Sequence, residues 1–348
     1  MKTGKRILAM LLSAVLAGWG LSGCSALHTE KRIVRIAIGQ SETHPEYLGL
    51  LEFKEYVEER LGDKFQIEIF PNELLGSTQK AIELTQTGAV DFTVAGTANL
   101  ETFTKVYEIF SMPYLFDSVE AYVEVMEDTD YMKRIYESTE EAGFQVVTWY
   151  YAGTRNFYAK KPINKPEDLK GLKIRVQQSP ASISMTKAFG AAATPMSFGE
   201  VYTAIQQGVI DGAENNELAL TNNKHGEVAK YYSYTRHQMV PDMLIANQRF
   251  LDGLSAEERA IFDEAARRST QVEREEWDKQ VDEARETAEK KMKVQFQEVD
   301  MELFKKKVSG IHSEMLENNE SIREFYQHIQ KINQKIAGEH AEQGGQGL

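Results

Sequence analysis

Cys24 is the only cysteine among 348 residues, so the chain can form no intramolecular disulfide. It would tolerate an oxidising compartment without using it. Enzyme signatures that are easy to see are missing: there is no GxGxxG, P-loop, HExxH, CxxC or GxSxG elbow. The seven histidines are scattered, and His225 and His237 stand too far apart for a metal pair on one helical face. No cofactor and no metal are expected. Acidic residues are plentiful enough that a paired-carboxylate hydrolase is not excluded by number, but nothing in their spacing recommends one. Positive charge is in deficit, 40 Lys and Arg against 53 Asp and Glu, for a net charge of −13. Such a body argues against nucleic acid or an anionic membrane as partner. An anionic ligand would have to be captured by a few placed cations working against the overall field. Past the first two dozen residues no apolar run approaches membrane-spanning length, and there is no internal repeat.

The first residues read as a targeting segment. Lys2, Lys5 and Arg6 precede an apolar stretch from Ile7 to Leu21 that is short for a mature spanning helix. It ends in Leu21-Ser22-Gly23-Cys24, which has the form of a bacterial lipobox, where the cysteine becomes the lipidated first residue after cleavage. Residues 1–23 are therefore expected to be a lipoprotein signal peptide and Cys24 the lipidation site. An ordinary secretory signal with an incidental cysteine is the alternative. Cleavage removes three positive charges and takes the net charge to −16. About 325 residues remain, enough for two modest domains.

From Lys31 short apolar runs alternate with helical patterns, the mark of an α/β protein. Ile33 to Ile38, Phe65 to Phe70 and Val90 to Ala95 are strand candidates. Leu50, Phe53, Val57 and Leu61 recur at helical spacing between the first two, and a second helix runs from Ser77 to Thr87, closed by Gly88. Gln145 to Tyr151 is a further strand. The Pro-bearing 160–166 stretch is a loop. A second α/β unit follows, with strands near 172–176 and 192–195, then a capping box of Ser197 with Glu200 that opens a helix ending at Gly208. Another capping box, Ser255 with Glu258, opens a helical pattern that continues to about Lys291. At about 35 residues it would span roughly 50 Å, longer than one small domain. The Gly-rich tail from Ala337 is expected to be frayed.

The most informative residue is Arg175, in Gly171-Leu-Lys-Ile-Arg-Val176. A guanidinium on a short apolar strand after a Gly turn is rigidly held, always charged and shaped for bidentate capture of a carboxylate; lysine there would be a point charge without the planar fork. An interdomain salt bridge is the plainer role for such a residue. Downstream stands Thr194-Pro-Met-Ser-Phe-Gly-Glu-Val-Tyr-Thr-Ala-Ile-Gln-Gln-Gly-Val-Ile-Asp-Gly-Ala-Glu-Asn215. These two segments resemble the DctP family, the extracytoplasmic solute-binding proteins of TRAP transporters, and weaker similarity covers most of the rest of the chain.

The resemblance implies a two-domain periplasmic-binding-protein (Venus-flytrap) fold of α/β class with a long domain-spanning helix. It divides the chain into 32–152 with 241–280, 153–240 with 281–336, and a flexible tail at 337–348. It implies a carrier, not an enzyme. The ligand is a small organic acid bound between the domains, the partners are TRAP membrane subunits, and the carrier is expected to be a monomer held to the membrane only through its lipid. Arg175 would pair with the ligand carboxylate and Arg155 would occupy the family's second arginine position. Asn215 would contact the ligand through its amide, and Phe198 would pack against it. Less specific candidates at strand ends and loops are His44, Thr78, Gln79, Trp149, Tyr150, Tyr234 and His237. Members that bind sialic acid have an acidic residue where this chain has Gly96 and an arginine where it has Asn99, which argues against that ligand. The family's Glu-Asn-Pro becomes Glu214-Asn215-Asn216, adding an amide. The Ala-Glu-Asn-Asn form looks most like members that bind sugar acids such as hexuronates. A C4-dicarboxylate or keto-acid carrier using Arg155 for a second carboxylate, an extracytoplasmic glycan-processing enzyme and a sensor co-receptor remain open.

Overall fold

The computed structural model describes residues 31–345; the signal segment, Cys24 and the last three residues lie outside the described range. Eleven strands form two mixed sheets. They are β1 (Arg32–Ala37), β2 (Phe65–Phe70), β3 (Phe92–Gly96), β4 (Phe144–Tyr150), β5 (Arg155–Ala159), β6 (Lys173–Val176), β7 (Ala192–Pro195), β8 (Gly212–Asn215), β9 (Tyr231–Gln238), β10 (Asp242–Asn247) and β11 (Gln295–Glu298). The first sheet runs β2-β1-β3-β10-β4 and the second β11-β9-β5-β8-β6-β7.

In the first sheet β1 is parallel to β2 and β3, and the helices Pro45–Leu61 and Thr78–Thr87 supply the crossovers that parallel neighbours need. Val34 and Ile36 of β1 are fully buried against Leu50, Phe53 and Val57 of the Pro45–Leu61 helix, so alternation on the strand meets the 3.6 period on the helix. The expected caps form. Ser77 accepts from the Lys80 N–H at the start of the Thr78–Thr87 helix, and Gly88 closes it in the left-handed region at φ 81°.

Three segments connect the sheets: 151–154 between β4 and β5, 239–241 between β9 and β10, and the helix Ala256–Lys290. That helix has 35 residues, opens with the Ser255–Glu258 capping box, and at 1.5 Å per residue is about 50 Å long. It lies so close to the Pro45–Leu61 helix that a Cβ on Gly49 would stand 2.5 Å from the Ser269 carbonyl oxygen. It also braces the first connector, since Glu273 Oε2 accepts from the Tyr151 N–H at 3.0 Å. A Cβ on Gly153, which sits at φ 65°, would meet Trp277 Cζ2 at 2.6 Å.

The last helix, Arg323–Gly345, runs eight residues beyond Ala337, and only its final residues coincide with the Gly-rich stretch. Its Phe325, Ile329 and Ile332 join the apolar cluster of Tyr122, Met126 and Ile135 beside the first sheet. Buried apolar contact of this kind holds a helix that its own propensity would not. Among the described residues no helix is long and apolar enough to cross a membrane.

Candidate functional site

Between the two sheets lies a cavity of about 70 Å³, lined from one side by Gly39, Gln40, Glu46, Thr78, Val94, Gly96, Asn99 and Asp242. From the other side and the connectors come Ala152, Arg155, Arg175, Gln177, Gln178, Met196, Ser197, Phe198, Asn215 and Asn216. A cavity of this size holds several waters or part of a small polar solute. Beside the cavity one direct bond bridges the two sides: Gly199 N–H, at the start of the helical segment after Ser197, donates to Glu73 Oε2 at 3.1 Å. Glu73 and its neighbour Asn72 both sit in the left-handed region, at φ 55° and 56°, to make that reach.

The two arginines on opposite sides of β8 differ in what they hold. Arg155, at the start of β5, is 5 % exposed. Its Nε donates to Glu214 Oε2, its Nη2 to Glu214 Oε1 and to the Glu214 carbonyl, both at 2.9 Å, and its Nη1 to Asn215 Oδ1 at 3.1 Å. Antiparallel pairing sets this up, because Asn156 is opposite Asn215 and Phe157 opposite Glu214. Burial alone would raise the Glu214 carboxyl, but Arg155 and the nearby His237 outweigh it and hold the carboxyl down at about 2. Burial likewise pulls Arg155 down, and Glu214 more than restores it.

Arg175 is 4 % exposed and sits on β6, between Thr194 of β7 and Ala213 of β8. Its Nε and Nη2 donate to the Met196 carbonyl at 3.1 and 3.0 Å. Among the described residues Arg175 has no ion pair, and its Nη1 donates to nothing, so one edge of the fork is uncommitted. The Phe198 ring packs 5.5 Å from its guanidinium carbon. Burial lowers its proton affinity; attraction from Glu214 works against that, repulsion from Arg155 adds to it, and the net shift is downward, the condition of a buried cation without a paired carboxylate.

Arg155, Arg175, Asn215, Asn216, Phe198 and Thr78 are thus brought together, although Asn216 is largely spent on the chain. Its Nδ2 donates to the Ala152 carbonyl at 2.9 Å and its Oδ1 accepts from Leu218 N–H at 3.0 Å. The remaining candidates stand elsewhere. His44 caps the Pro45–Leu61 helix, accepting from Glu46 N–H, and burial lowers it to about 3, so its ring is neutral. Tyr150 is a core residue bonded to Ser269 Oγ at 2.9 Å, and Trp149 packs edge-on against Tyr122. Tyr234 stacks on Phe296, and Gln79 does not line the cavity. His237 lies fully buried behind the Arg155–Glu214 pair, with Nε2 3.7 Å from Glu214 Oε2 and its ring stacked on Phe157. His44, Trp149, Tyr150, Tyr234 and His237 are all buried in the protein, and Gln79 is half-buried outside the cavity lining.

Sequence reasoning missed Glu46, Asp242, Gln177 and the structural role of Glu214. Two weak signals existed. An acid in the first turn after His44-Pro45 is a usual helix-start residue, and Asp242 follows a proline at a strand start. Among the described residues there is no cluster of three or more potential metal ligands.

Residues 36–319 match the family described as bacterial extracellular solute-binding protein, family 7, DctP. A TRAP periplasmic solute-binding protein from Anaerococcus prevotii, solved with bound α/β-D-glucuronate, is 54 % identical with a TM-score of 0.86; the similarity covers 88 % of this chain and 99 % of that one. A second, from a Sulfitobacter species with bound β-D-galacturonate, is 32 % identical with a TM-score of 0.81, covering 85 % and 98 %. A Salmonella typhimurium protein, YiiZ, is 40 % identical over 311 residues, which is 89 % of this chain and 94 % of that one.

Proposed function

The chain belongs to the bacterial extracellular solute-binding protein family 7, and from that premise we propose that it captures a hexuronate or closely related sugar acid and delivers it to TRAP membrane subunits. The observation that carries the ligand class is the uncommitted edge of Arg175, a buried cation that feels Glu214 and Glu73 at a distance but makes no ion pair with either. A carboxylate leaving water needs a partner that satisfies its oxygens, and this fork supplies one. Arg155 is already committed to Glu214, which leaves one strong carboxylate site and not two. The polar side chains in the rest of the lining are amide, hydroxyl and carboxyl, beside apolar Val94, Met196 and Phe198, a mixture suited to a polyhydroxylated ligand with apolar faces. The solved relatives with bound glucuronate and galacturonate support the same class.

In this reading the two sheets belong to units that close around the ligand, hinged at 151–154 and 239–241, and the ligand shifts the population toward the closed form. The first unit comprises 32–152 with 241–280 and the second 153–240 with the residues from 281; the last helix travels with the first unit, against which it packs. Outside the described residues, Cys24 carries the lipid that tethers a monomeric carrier to the extracytoplasmic membrane face. Cys24→Ser should release the protein from the membrane fraction, and a protein that stays there would count against the anchor.

The deciding experiment is a thermal-shift screen of the signal-free protein against hexuronates, aldonates, keto-sugar acids and C4-dicarboxylates. A ligand specific for the native state raises stability by RT ln(1 + [L]/Kd), about 2.7 kcal/mol at a hundredfold excess over Kd. Shifts confined to sugar acids support the proposal. Shifts with dicarboxylates alone replace the ligand class and leave the carrier role.

A further inference from the structure

The cavity has a second polar feature that a clamp at Arg175 leaves unused. Glu46, in the first turn of the Pro45–Leu61 helix, and Asp242, at the start of β10, both line it from the first sheet's side. Glu46 is 1 % exposed, its carboxyl lies within hydrogen-bonding reach of Asp242, and no N–H or hydroxyl among the described residues donates to its Oε1. Gln177, two residues beyond Arg175, lines the same space, is 9 % exposed, and its Oε1 is also unpartnered. Gly96 makes room for the meeting: a Cβ there would stand 2.8 Å from both Asp242 Oδ1 and Gln177 Nε2. Buried acceptors in a closed polar space, drawn from both sides of the cleft, are a cost to the fold unless a ligand satisfies them.

We propose that Glu46 and Asp242, together with Gln177, form the hydroxyl-reading end of the cavity. They accept hydrogen bonds from the hydroxyls of the sugar acid whose carboxylate sits on Arg175, and they reject a ligand carrying a second carboxylate. This rests on the hexuronate reading. Hydroxyls can donate to carboxyl oxygens, whereas a second carboxylate would set acceptors and negative charge against acceptors and negative charge.

The groups around the pair do not neutralise it. Arg155 faces Asp242 but is bound to Glu214. His44 Nδ1 is 4.0 Å from Glu46 Oε1, and burial keeps that ring neutral. Glu273 is itself pushed well above the usual carboxyl range by burial and brings no cation, and Tyr122 and Tyr150 face the acids as neutral phenols. Burial and then mutual repulsion push Glu46 well above the usual carboxyl range, and burial raises Asp242 as well. The pair therefore retains a proton where a lone carboxyl would have lost it, which lets it donate as well as accept. Loss of that proton adds negative charge beside an anionic ligand, so affinity should fall as pH rises through the pair's raised range.

The test is calorimetric titration of D-glucuronate and D-glucarate, which differ by a carboxylate at one end, into wild type, Glu46→Gln, Asp242→Asn and the double variant. Each amide replaces an acceptor oxygen with an NH2 that cannot accept and breaks the shared proton, and should weaken D-glucuronate by about 10-fold, roughly one hydrogen bond. The double variant should also move the preference toward D-glucarate by at least as much. Arg175→Lys should weaken both ligands without moving their ratio. If wild type binds D-glucuronate and neither its affinity nor the ratio changes in the variants, this inference is overturned and the hexuronate reading stands. If wild type binds no hexuronate, both fall together. Should Glu46→Gln fold poorly by circular dichroism, Asp242→Asn alone decides.

Discussion

Arg155 and Arg175 are both nine-tenths buried and both border the same cavity, yet one is finished and the other is not. Arg155 spends its guanidinium on Glu214 and Asn215, a pairing made by two adjacent antiparallel strands. Arg175 spends one edge on a single carbonyl and keeps the other. A buried ion pair complete in the protein is a structural element, because removing either partner strands a charge. A buried cation without a partner is costly in the empty protein and is explained by something that arrives. Residue type and burial alone would give the two arginines the same role; their partners separate them.

The sharpest break in this comparison is at the paired arginine. Arg155→Ala leaves Glu214 charged and alone, and should destabilise the fold by about 3–5 kcal/mol in urea unfolding without ligand. A loss within a few tenths of a kcal/mol would place Arg155 with Arg175 as a ligand group. Next, Arg175→Lys should leave urea stability near that of wild type while costing about 2–4 kcal/mol of sugar-acid affinity, read by calorimetry. Equal affinity would make Arg175 structural.

Smaller effects sharpen the contrast. Gly153 sits two residues before Arg155 in the left-handed region against Trp277. Gly153→Ala should cost about 1–3 kcal/mol in the thermal or urea midpoint through strain and overpacking. A neutral result would mean that the connector shifts freely and does not fix Arg155.

pH should separate the two sides of the cavity with opposite signs. Glu214 is depressed to about 2, so its contribution is present above the unfolded carboxyl value and fades as pH falls through about 2. Glu46 and Asp242 are raised, so their contribution is fully present below the unfolded value and is lost as pH rises through their folded values. Melting temperature against pH should therefore lose part of its acid limb in Glu214→Gln and part of its decline on the alkaline side in Asp242→Asn. Parallel curves for all three proteins would refute that division.

Much of the fold is legible in the amino-acid sequence. The strand–helix alternation, the two capping boxes and the 35-residue helix follow from local pattern and form where local pattern puts them. Strands β9 and β10 are harder. Tyr231–Gln238 reads as polar, and Asp242–Asn247 is a short apolar run that becomes a strand because it lies between β3 and β4. Arg175 can be found because its strand, its turn and its charge are contiguous. The part of Arg155 cannot, since Glu214 lies far along the chain and only strand pairing brings it close. The strands that carry Tyr150, Trp149, Tyr234 and His237 bring those residues near the cleft. Which face each side chain takes depends on sheet packing, and all four turn inward.

The most direct measurement is calorimetric titration of the signal-free protein with D-glucuronate and, in parallel, with L-malate. One open arginine predicts one-to-one binding of the sugar acid, with malate about 100-fold weaker or more because its second carboxylate meets a closed Arg155 and the acids of the opposite wall. Malate binding as tightly as D-glucuronate would contradict the account, since it would require Arg155 to leave Glu214 for the ligand.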